Sequence, residues 1–211
     1  MNRRRCLGML VGAAAWPLAA RTAPSWHAYN VTGTSPAPAF RMQATPDGRT
    51  VTEADVRGHL TLVYFGYTFC PDVCPLTLQN VAAAFAKLGD AAKDMRFLFV
   101  TVDPGRDTNA ELGKYVSLFG PQFIGLRGSD NDLARMAKRY RIAYTVDPSP
   151  DPDKYQVTHS SVIYVFDKQG NARLLVPSLD QANADINGLA ADLLRLSNET
   201  PSWWSWLRSM A

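Results

Sequence analysis

The chain has 211 residues, of which 46% are apolar and 19% are charged, and this balance indicates one globular domain with appendages rather than a repeat array or a disordered chain. The formal net charge is +3, but three of the 22 basic residues lie within residues 1–20, so the rest of the chain has 19 basic and 19 acidic residues. This balance gives no electrostatic basis for binding nucleic acid.

Residues 1–20 have the pattern of a targeting segment. Arg3, Arg4 and Arg5 give a basic start, and an uncharged, mainly apolar stretch follows up to Ala20. This stretch is shorter than the roughly 20 residues that span a bilayer comfortably, so a cleaved signal peptide is favoured over a retained anchor, and both alternatives stay open. In either case we expect the domain on the periplasmic side of the cell envelope, soluble after cleavage or anchored at the membrane.

Three further segments follow along the chain. Residues 21–39 are rich in Pro, Ser, Thr and Ala with little periodicity, which predicts a tether or N-terminal extension. Residues 40–197 are predicted to form the folded domain. Residues 198–211 form a tail with Trp203, Trp204 and Trp206, and it either rests at a membrane interface or packs back on the domain.

The domain is predicted to alternate strands with helices. Apolar runs and turn residues predict strands at residues 40–44, 60–65, 96–102, 123–126, 142–146, 161–166 and 172–176. Apolar periodicity and capping residues predict helices from Pro75 to near Gly89, at residues 108–119, at residues 129–140, and after a cap at Asp180. This order predicts an α/β domain with a mixed, partly parallel central sheet flanked by helices, and a thioredoxin-like fold satisfies it.

Cys70 and Cys74 are the most informative residues of the domain. Three residues lie between them, and the pair follows the predicted strand at residues 60–65 at the start of a helix, where the helix N-terminus lowers the pKa of a thiol. In an open α/β sheet a site lies beyond the carboxyl ends of the strands, which is where this loop falls. A structural disulfide closing so short a loop would stabilise the fold weakly, so the pair indicates metal or redox chemistry.

His159 is the best candidate for a third group. It stands before the strand at residues 161–166, in a loop that faces the cysteine loop in a thioredoxin-like fold, whereas His27 and His59 fit solvated or capping roles better. Two thiolates and one imidazole suit copper, because sulfur holds Cu(I) and nitrogen lets the site tolerate Cu(II). A structural zinc site would need a fourth ligand. We therefore predict copper ligands at Cys70, Cys74 and His159.

Four separated motifs resemble the Sco/SenC family of copper chaperones. They are residues 68–75 (TFCPDVCP), 101–108 (TVDPGRDT), 123–126 (FIGL) and the pair His159-Ser160. The resemblance implies a thioredoxin-like fold, copper ligands at both cysteines and the histidine, and delivery of copper to cytochrome c oxidase, chiefly to the binuclear copper site of subunit II. Other copper carriers or thiol reductants are further expected partners. Thr158 departs from the family, in which an acidic residue often precedes the ligand histidine and orients its ring.

Two functions from different classes remain open. The first is a metallochaperone without catalytic activity, and the second is a thiol-disulfide oxidoreductase in which Cys70 and Cys74 form a redox-active disulfide. Three residues between the cysteines, where dithiol oxidoreductases of this fold usually have two, favour metal. A peroxiredoxin-like peroxidase ranks last. For Asp103 we prefer a turn, and we expect Asp107 or Thr108 to cap the next helix; a role of the two aspartates in ordering the loop or contacting a partner is the alternative.

Overall fold

The structure, a computed structural model, describes residues 25–151, 154–177 and 179–199. The predicted targeting segment at residues 1–20 and most of the Trp-rich tail, from residue 200 onward, lie outside the described residues. Within the described ranges no helix is long and apolar enough to cross a membrane.

The described residues form ten strands and four α-helices. The strands are β1 (Tyr29–Asn30), β2 (Arg41–Ala44), β3 (Thr50–Thr52), β4 (Thr61–Gly66), β5 (Arg96–Thr101), β6 (Phe123–Arg127), β7 (Tyr144–Val146), β8 (Val157–His159), β9 (Ile163–Phe166) and β10 (Ala172–Val176). The helices are α1 (Val73–Leu88), α2 (Asn109–Ser117), α3 (Asp130–Arg139) and α4 (Ile186–Asn198), with short 3₁₀ turns at Glu53–Val56 and Gly89–Ala92.

Eight strands form one mixed sheet in the order β1-β10-β9-β4-β5-β6-β2-β3. Strands β4, β5 and β6 are parallel, whereas β9 runs antiparallel to β4 and β2 antiparallel to β6. All six residues of β4 are buried, as expected of a strand inside the sheet. The predicted mixed sheet with flanking helices is therefore confirmed.

The ends of β4 and β5 bring two loops together. Gly66 pairs with Thr101 at the last position of the parallel register, so the loop that carries the cysteines and the loop before α2 leave the sheet side by side. Pro75 lies in the first turn of α1, as predicted, where its missing N–H costs nothing. The topology therefore places Cys70 and Cys74 at the carboxyl edge of the parallel strands.

A separate hairpin carries His159. Strands β7 and β8 form a two-stranded sheet in which Tyr144 pairs with His159. The sequence predicts an extended segment at residues 142–146 but places His159 in a loop, and the structure places it at the end of a strand. A three-residue strand is too short to show an alternating pattern, which explains the difference.

The start of the last helix differs from the prediction. Asp180 does not cap α4; Asp185 does, and its side chain accepts a hydrogen bond from the backbone N–H of Gly188. Both aspartates precede the same apolar face, so sequence alone does not discriminate between them. Thr108, one of the two alternatives predicted for the cap of α2, is the residue that caps it, and the predicted cap of α3 at Ser129 is confirmed.

Part of the predicted tether lies against the domain. Tyr29–Asn30 adds an edge strand to β10, and the carboxylate of Asp192 in α4 accepts hydrogen bonds from the backbone N–H groups of His27 and Ala28. The described residues of this segment thus extend the folded unit. A two-residue strand has no periodicity from which it could be predicted.

Candidate metal centre

The cysteine loop joins β4 to α1 and sets the two thiols in different surroundings. Cys70 is half-buried in the loop, whereas Cys74 is fully buried in the first turn of α1. The backbone N–H of Cys74 donates to the sulfur of Cys70 over 3.4 Å, which uses one of the amides that a helix leaves free at its N-terminus. Both cysteines are free thiols in this structure.

The hairpin β7–β8 brings His159 to the thiol pair. The Nε2 atom of His159 lies 3.3 Å from the sulfur of Cys74, and its Nδ1 atom lies 3.1 Å from the backbone carbonyl oxygen of Ser160. A proton on Nδ1 donated to that carbonyl leaves the Nε2 lone pair free for a metal or a thiol. The rings of Tyr64 and Tyr67 meet the imidazole edge-on, each with 5.9 Å between ring centroids.

The three predicted site residues therefore converge. One ligand atom each from Cys70, Cys74 and His159 lies within 4.8 Å of the other two, and no other group of three or more His, Cys, Asp or Glu side chains in the described residues has such an arrangement. Two sulfurs and one imidazole nitrogen form a soft donor set that suits a thiophilic metal ion. His27 and His59 lie elsewhere: the Nδ1 atom of His27 meets Asp185, and that of His59 meets the backbone carbonyl of Asp94.

The two thiols also differ in acidity. The hydrogen bond from the Cys74 thiol, aided by His159 and by backbone N–H groups, outweighs burial and lowers the pKa of Cys70 to about 4. The neighbouring Cys70 sulfur, together with burial, raises the pKa of Cys74 well above its ordinary range. Without a metal, the pair thus carries its negative charge on Cys70 and its proton on Cys74.

Tyr64 closes the buried side of the site. Its hydroxyl group donates towards the sulfur of Cys74 over 3.8 Å. Burial is the main cause that raises the pKa of Tyr64, and the charge of the thiols adds to it, so this tyrosine stays protonated. Tyr64 is not among the site residues predicted from the sequence, and the one signal for it is its position two residues before the end of the buried strand.

Asp107 orders the cysteine loop, which corrects our preference for a helix cap. Its carboxylate accepts hydrogen bonds from the backbone N–H of Thr68 at 3.1 Å, and from the hydroxyl groups of Thr68 and Thr101 at 2.5 Å each. Burial raises the pKa of Asp107, and these hydrogen bonds oppose that rise. Thr108 caps α2 instead, since its side chain accepts from the N–H of Glu111. The loop-ordering alternative was therefore correct for Asp107.

Asp103 connects the loop before α2 to the segment that leads into β8, the strand that carries His159. Its carboxylate accepts a 2.5 Å hydrogen bond from Nε of Arg106 and a 2.6 Å hydrogen bond from the hydroxyl group of Tyr155. From the sequence, Asp103 is expected in a turn, and no role is predicted for Arg106 or Tyr155. The signal for Arg106 was its place in the motif at residues 101–108; nothing local indicated Tyr155.

The environment of Thr158 explains how the ring of His159 is oriented without a preceding acid. The hydroxyl group of Thr158 donates to the carboxylate of Asp147 across the hairpin over 3.2 Å, so it points away from the imidazole. The carbonyl of Ser160 contacts Nδ1 of His159 instead. A backbone carbonyl is one of the groups that commonly orient a metal-binding histidine.

Comparison with known proteins identifies relatives by sequence. The family model described as SCO1/SenC matches residues 34–194. "Protein SCO1 homolog 1, mitochondrial" of Arabidopsis thaliana is 40% identical over 126 residues, which cover 59% of this chain and 37% of the relative. "Protein SCO2 homolog, mitochondrial" of Bos taurus is 38% identical over 125 residues, which cover 58% of this chain and 47% of the relative. The chain thus matches less than half the length of these two curated relatives.

Solved structures agree with the sequence comparison. The structure of Arabidopsis thaliana ScoI with copper bound is similar with a TM-score of 0.67 and 34% identity, covering 75% of this chain and 96% of that one. Bradyrhizobium japonicum ScoI with copper bound gives a TM-score of 0.67 and 32% identity, covering 76% of this chain and 98% of that one. Because the family model spans well over half of the sequence and these folds agree with it, the chain belongs to the SCO1/SenC family.

Proposed function

We propose that this protein binds copper through Cys70, Cys74 and His159. The observation that carries the proposal is the convergence of two sulfurs and one imidazole nitrogen within 4.8 Å. The copper-bound structures of two similar proteins support copper over other thiophilic metals. From this site, copper would pass to a partner by exchange of its ligands.

The apo site is prepared for such binding. The low pKa of Cys70 makes its sulfur a thiolate at neutral pH, so a metal meets one ionised ligand at once. The Cys74 thiol loses its proton when its sulfur binds the metal, because a coordinating thiol is deprotonated. Metal binding is therefore expected to release close to one proton from the thiol pair near neutral pH.

The fuller proposal is a metallochaperone that delivers copper to cytochrome c oxidase, chiefly to the binuclear copper site of subunit II. The family resemblance supports this target, and the half-buried position of Cys70 gives a partner's thiolate access to one ligand. Other copper carriers or thiol reductants are proposed as the partners that load the site or keep its thiols reduced. In this role the protein is not an enzyme.

The copper site is tested by titration. The reduced full chain is titrated with Cu(I) against a competing chelator, alongside Cys74→Ser and His159→Ala. We expect Cys74→Ser to lose most of the affinity, because one of two thiolates is removed. His59→Ala is the matched control, since His59 is far from the thiols and should leave the affinity unchanged. If the wild-type chain binds Cu(I) no more tightly than Cys74→Ser does, the proposal fails.

A second candidate, thiol-disulfide exchange, is favoured by the unequal acidity of the thiols. The Cys70 thiolate would attack one sulfur of a target disulfide, breaking that bond and releasing the other target sulfur as a thiolate. Cys74, after losing its proton to solvent, would then attack the sulfur of Cys70 and release the second target thiolate. The target gains two electrons, and the Cys70–Cys74 pair loses two and becomes a disulfide.

Trapping tests this second candidate. In Cys74→Ser the second attack cannot occur, so a mixed disulfide between Cys70 and a disulfide-bearing peptide should accumulate and be detectable by mass spectrometry. The reduction potential of the wild-type pair is measured in parallel against a glutathione buffer. A pair that stays oxidised in reducing buffer and forms no mixed disulfide would exclude the exchange role.

For the regions outside the folded domain at residues 40–197, we propose export to the periplasmic side of the cell envelope. Residues 1–20 act as a cleaved signal or as a membrane anchor, residues 21–39 link that segment to the domain, and residues 198–211 either rest at a membrane interface or pack back on the domain. Cell fractionation with mass determination of the mature chain tests this. A full-length chain in the cytosolic fraction would contradict it.

A further inference from the structure

A buried ion pair lies next to the site, and neither of its residues is a proposed copper ligand. The side chains of Arg106 and Asp103 are only 11% and 4% exposed, and they form an ion pair between the end of β5 and the start of α2. A buried ion pair is weak evidence for stability, because desolvation offsets most of the attraction between the charges. Its contacts with other segments therefore indicate its role.

Arg106 contacts both segments that carry site residues. Its guanidinium group stacks on the ring of Tyr155, 3.5 Å from the centroid, and lies 4.8 Å from the ring centroid of Phe69, the residue before Cys70. Its Nη1 atom donates to the backbone carbonyl of Tyr155 over 3.0 Å. Asp103 completes the arrangement by accepting from the hydroxyl group of Tyr155. We call Asp103, Arg106 and Tyr155 the arginine clamp.

The hairpin that carries His159 needs such an anchor. A two-stranded hairpin is marginally stable on its own, and β8 pairs with β7 alone within the described part of the chain. Tyr155 lies two residues before β8, so holding its ring and carbonyl limits how far β8 can move from the thiols. Tyr67 adds a second contact, since its hydroxyl group accepts from the backbone N–H of Val157 over 3.4 Å.

The chemistry of the clamp suits arginine. The planar guanidinium group donates to two acceptors in different directions and stacks on an aromatic face at the same time, which an ammonium group does not do. Arg106 uses all of these properties: Nε donates to Asp103, Nη1 donates to Tyr155, and the plane covers the Tyr155 ring. The clamp therefore fixes orientation as well as distance.

We propose that Arg106 is a positioning residue that, through Asp103 and Tyr155, holds β8 so that Nε2 of His159 stays within reach of the Cys74 sulfur. This inference rests on the proposed copper site, because the imidazole matters only if it is a ligand. The contacts described for Arg106 are with Asp103, Tyr155 and the ring of Phe69. Its effect on the site passes through His159, and this route distinguishes a positioning role from a general contribution to stability.

A double-mutant cycle on the full chain tests the route. Cu(II) affinity is measured by competition for the wild type, Arg106→Gln, His159→Ala and the double variant. We expect Arg106→Gln to lower Cu(II) affinity by about 10–100-fold, the range seen when a residue that supports a metal ligand is lost, and to affect Cu(I) much less. In the His159→Ala background, Arg106→Gln should cause no further loss.

A metal-free measurement accompanies the titration. Amide hydrogen exchange of the apo protein should speed up at Val157 and Thr158 in Arg106→Gln and stay unchanged in β4. Arg173→Gln is the control, because Arg173 is 17% exposed and pairs with the buried Asp167 far from the thiols. It removes a comparable ion pair and should leave both β8 exchange and Cu(II) affinity unaffected.

The outcomes are separable. Equal losses of affinity in the two backgrounds, or β8 exchange unchanged by Arg106→Gln, would overturn the positioning role. If Arg106→Gln does not fold, Tyr155→Leu removes the stacked ring of a half-buried residue and must give the same pattern. If the wild type binds no copper, the proposed function fails, while hydrogen exchange still decides whether the clamp holds β8.

Discussion

Cys70 and Cys74 lie only four positions apart in the sequence, yet their surroundings give them different roles. Cys70 is half-buried and accepts hydrogen bonds, which stabilise its thiolate, whereas Cys74 is fully buried between Tyr64 and His159. The half-buried, ionised sulfur of Cys70 is the one that a metal or a partner thiol reaches first. The buried sulfur and the imidazole then complete the set of ligands.

His159→Ala should weaken Cu(II) binding more than Cu(I) binding. Two thiolates alone can hold Cu(I), while Cu(II) depends on the nitrogen donor, so we expect a Cu(II) loss on the order of 10–100-fold or more. Competition titrations with chelators selective for each oxidation state measure both affinities, with His27→Ala as the control. Equal losses for the two oxidation states would contradict the assigned role.

The acidity of Cys70 should be visible as pH-dependent alkylation. Because its pKa is lowered to about 4, the rate constant for iodoacetamide should stay nearly constant from pH 8 down to pH 5 and fall only near pH 4. Mass spectrometry of the apo protein identifies the alkylated residue, and Cys74 should react slowly because it is buried with a raised pKa. A rate that rises steeply between pH 7 and pH 9 would disagree.

The same shift predicts a pH dependence of stability. The pKa of Cys70 in the folded chain lies below the 9.0 of an ordinary thiol, so the contribution of this group is fully present above pH 9 and is lost as pH falls through about 4. Urea denaturation of wild type and Cys70→Ser at pH 5 and pH 9 measures it. The stability difference between the two proteins should grow with pH.

At the scale of elements, the site lies at the connection between the end of β4 and the start of α1. Gly66 ends β4, and a Cβ atom at this position would lie 2.8 Å from the sulfur of Cys74 and 2.9 Å from the ring of Phe99. The absence of a side chain at this position lets the first turn of α1 pack directly on the sheet. The close approach of helix and strand thus fixes the depth at which Cys74 is buried.

Gly66→Ala should therefore destabilise the fold and disturb the site together. We expect a loss of about 1–3 kcal/mol in the free energy of unfolding, the usual range for overpacking a core, with a weaker Cu(I) affinity because the Cys74 sulfur is displaced. Gly105→Ala is the control, since its nearest atoms lie 3.8 Å from the added Cβ. Urea denaturation and chelator competition measure the two effects. An unchanged free energy of unfolding would show that β4 shifts enough to accommodate the added methyl group.

At the scale of the whole molecule, the N-terminal segment joins elements that are distant in sequence. Asp192 is 2% exposed and links α4 to the backbone of His27 and Ala28, and β1 extends the sheet beyond β10. The guanidinium group of Arg195 lies over the ring of Trp26, 3.8 Å from its centroid. The start of the described chain is thereby fixed on the edge of the sheet.

Asp192→Ala should release this segment without altering the site. We expect a loss of about 1–3 kcal/mol, because two backbone donors lose a charged acceptor, and faster amide exchange at Ala28 and Val31. Urea denaturation and hydrogen exchange measure these effects, and Asp94→Ala at an exposed position is the control. Copper affinity should stay at the wild-type value. A loss of affinity would indicate that the N-terminal segment is coupled to the metal site.

The sequence by itself determined the features that depend on neighbouring residues. Apolar runs predicted β4 and β5, Thr108 and Ser129 predicted the starts of α2 and α3, and the spacing of the cysteines predicted thiol chemistry at the carboxyl edge of the sheet. These signals are local, because a cap, a strand pattern or a helix start involves only a few adjacent positions. The position of His159 before the strand at residues 161–166 indicated the third group, and the resemblance then supported it.

Only the tertiary structure decided the features that join distant segments. The 3.3 Å approach of His159 to Cys74 spans 85 residues, and the hydrogen bond from Arg106 to Tyr155 spans 49. Strands of two or three residues, such as β1 and β8, are too short to show a pattern, and their existence depends on the partner against which they pair. Sequence named the three proposed ligands, and the packing of β8 against the cysteine loop brought them within reach of one ion.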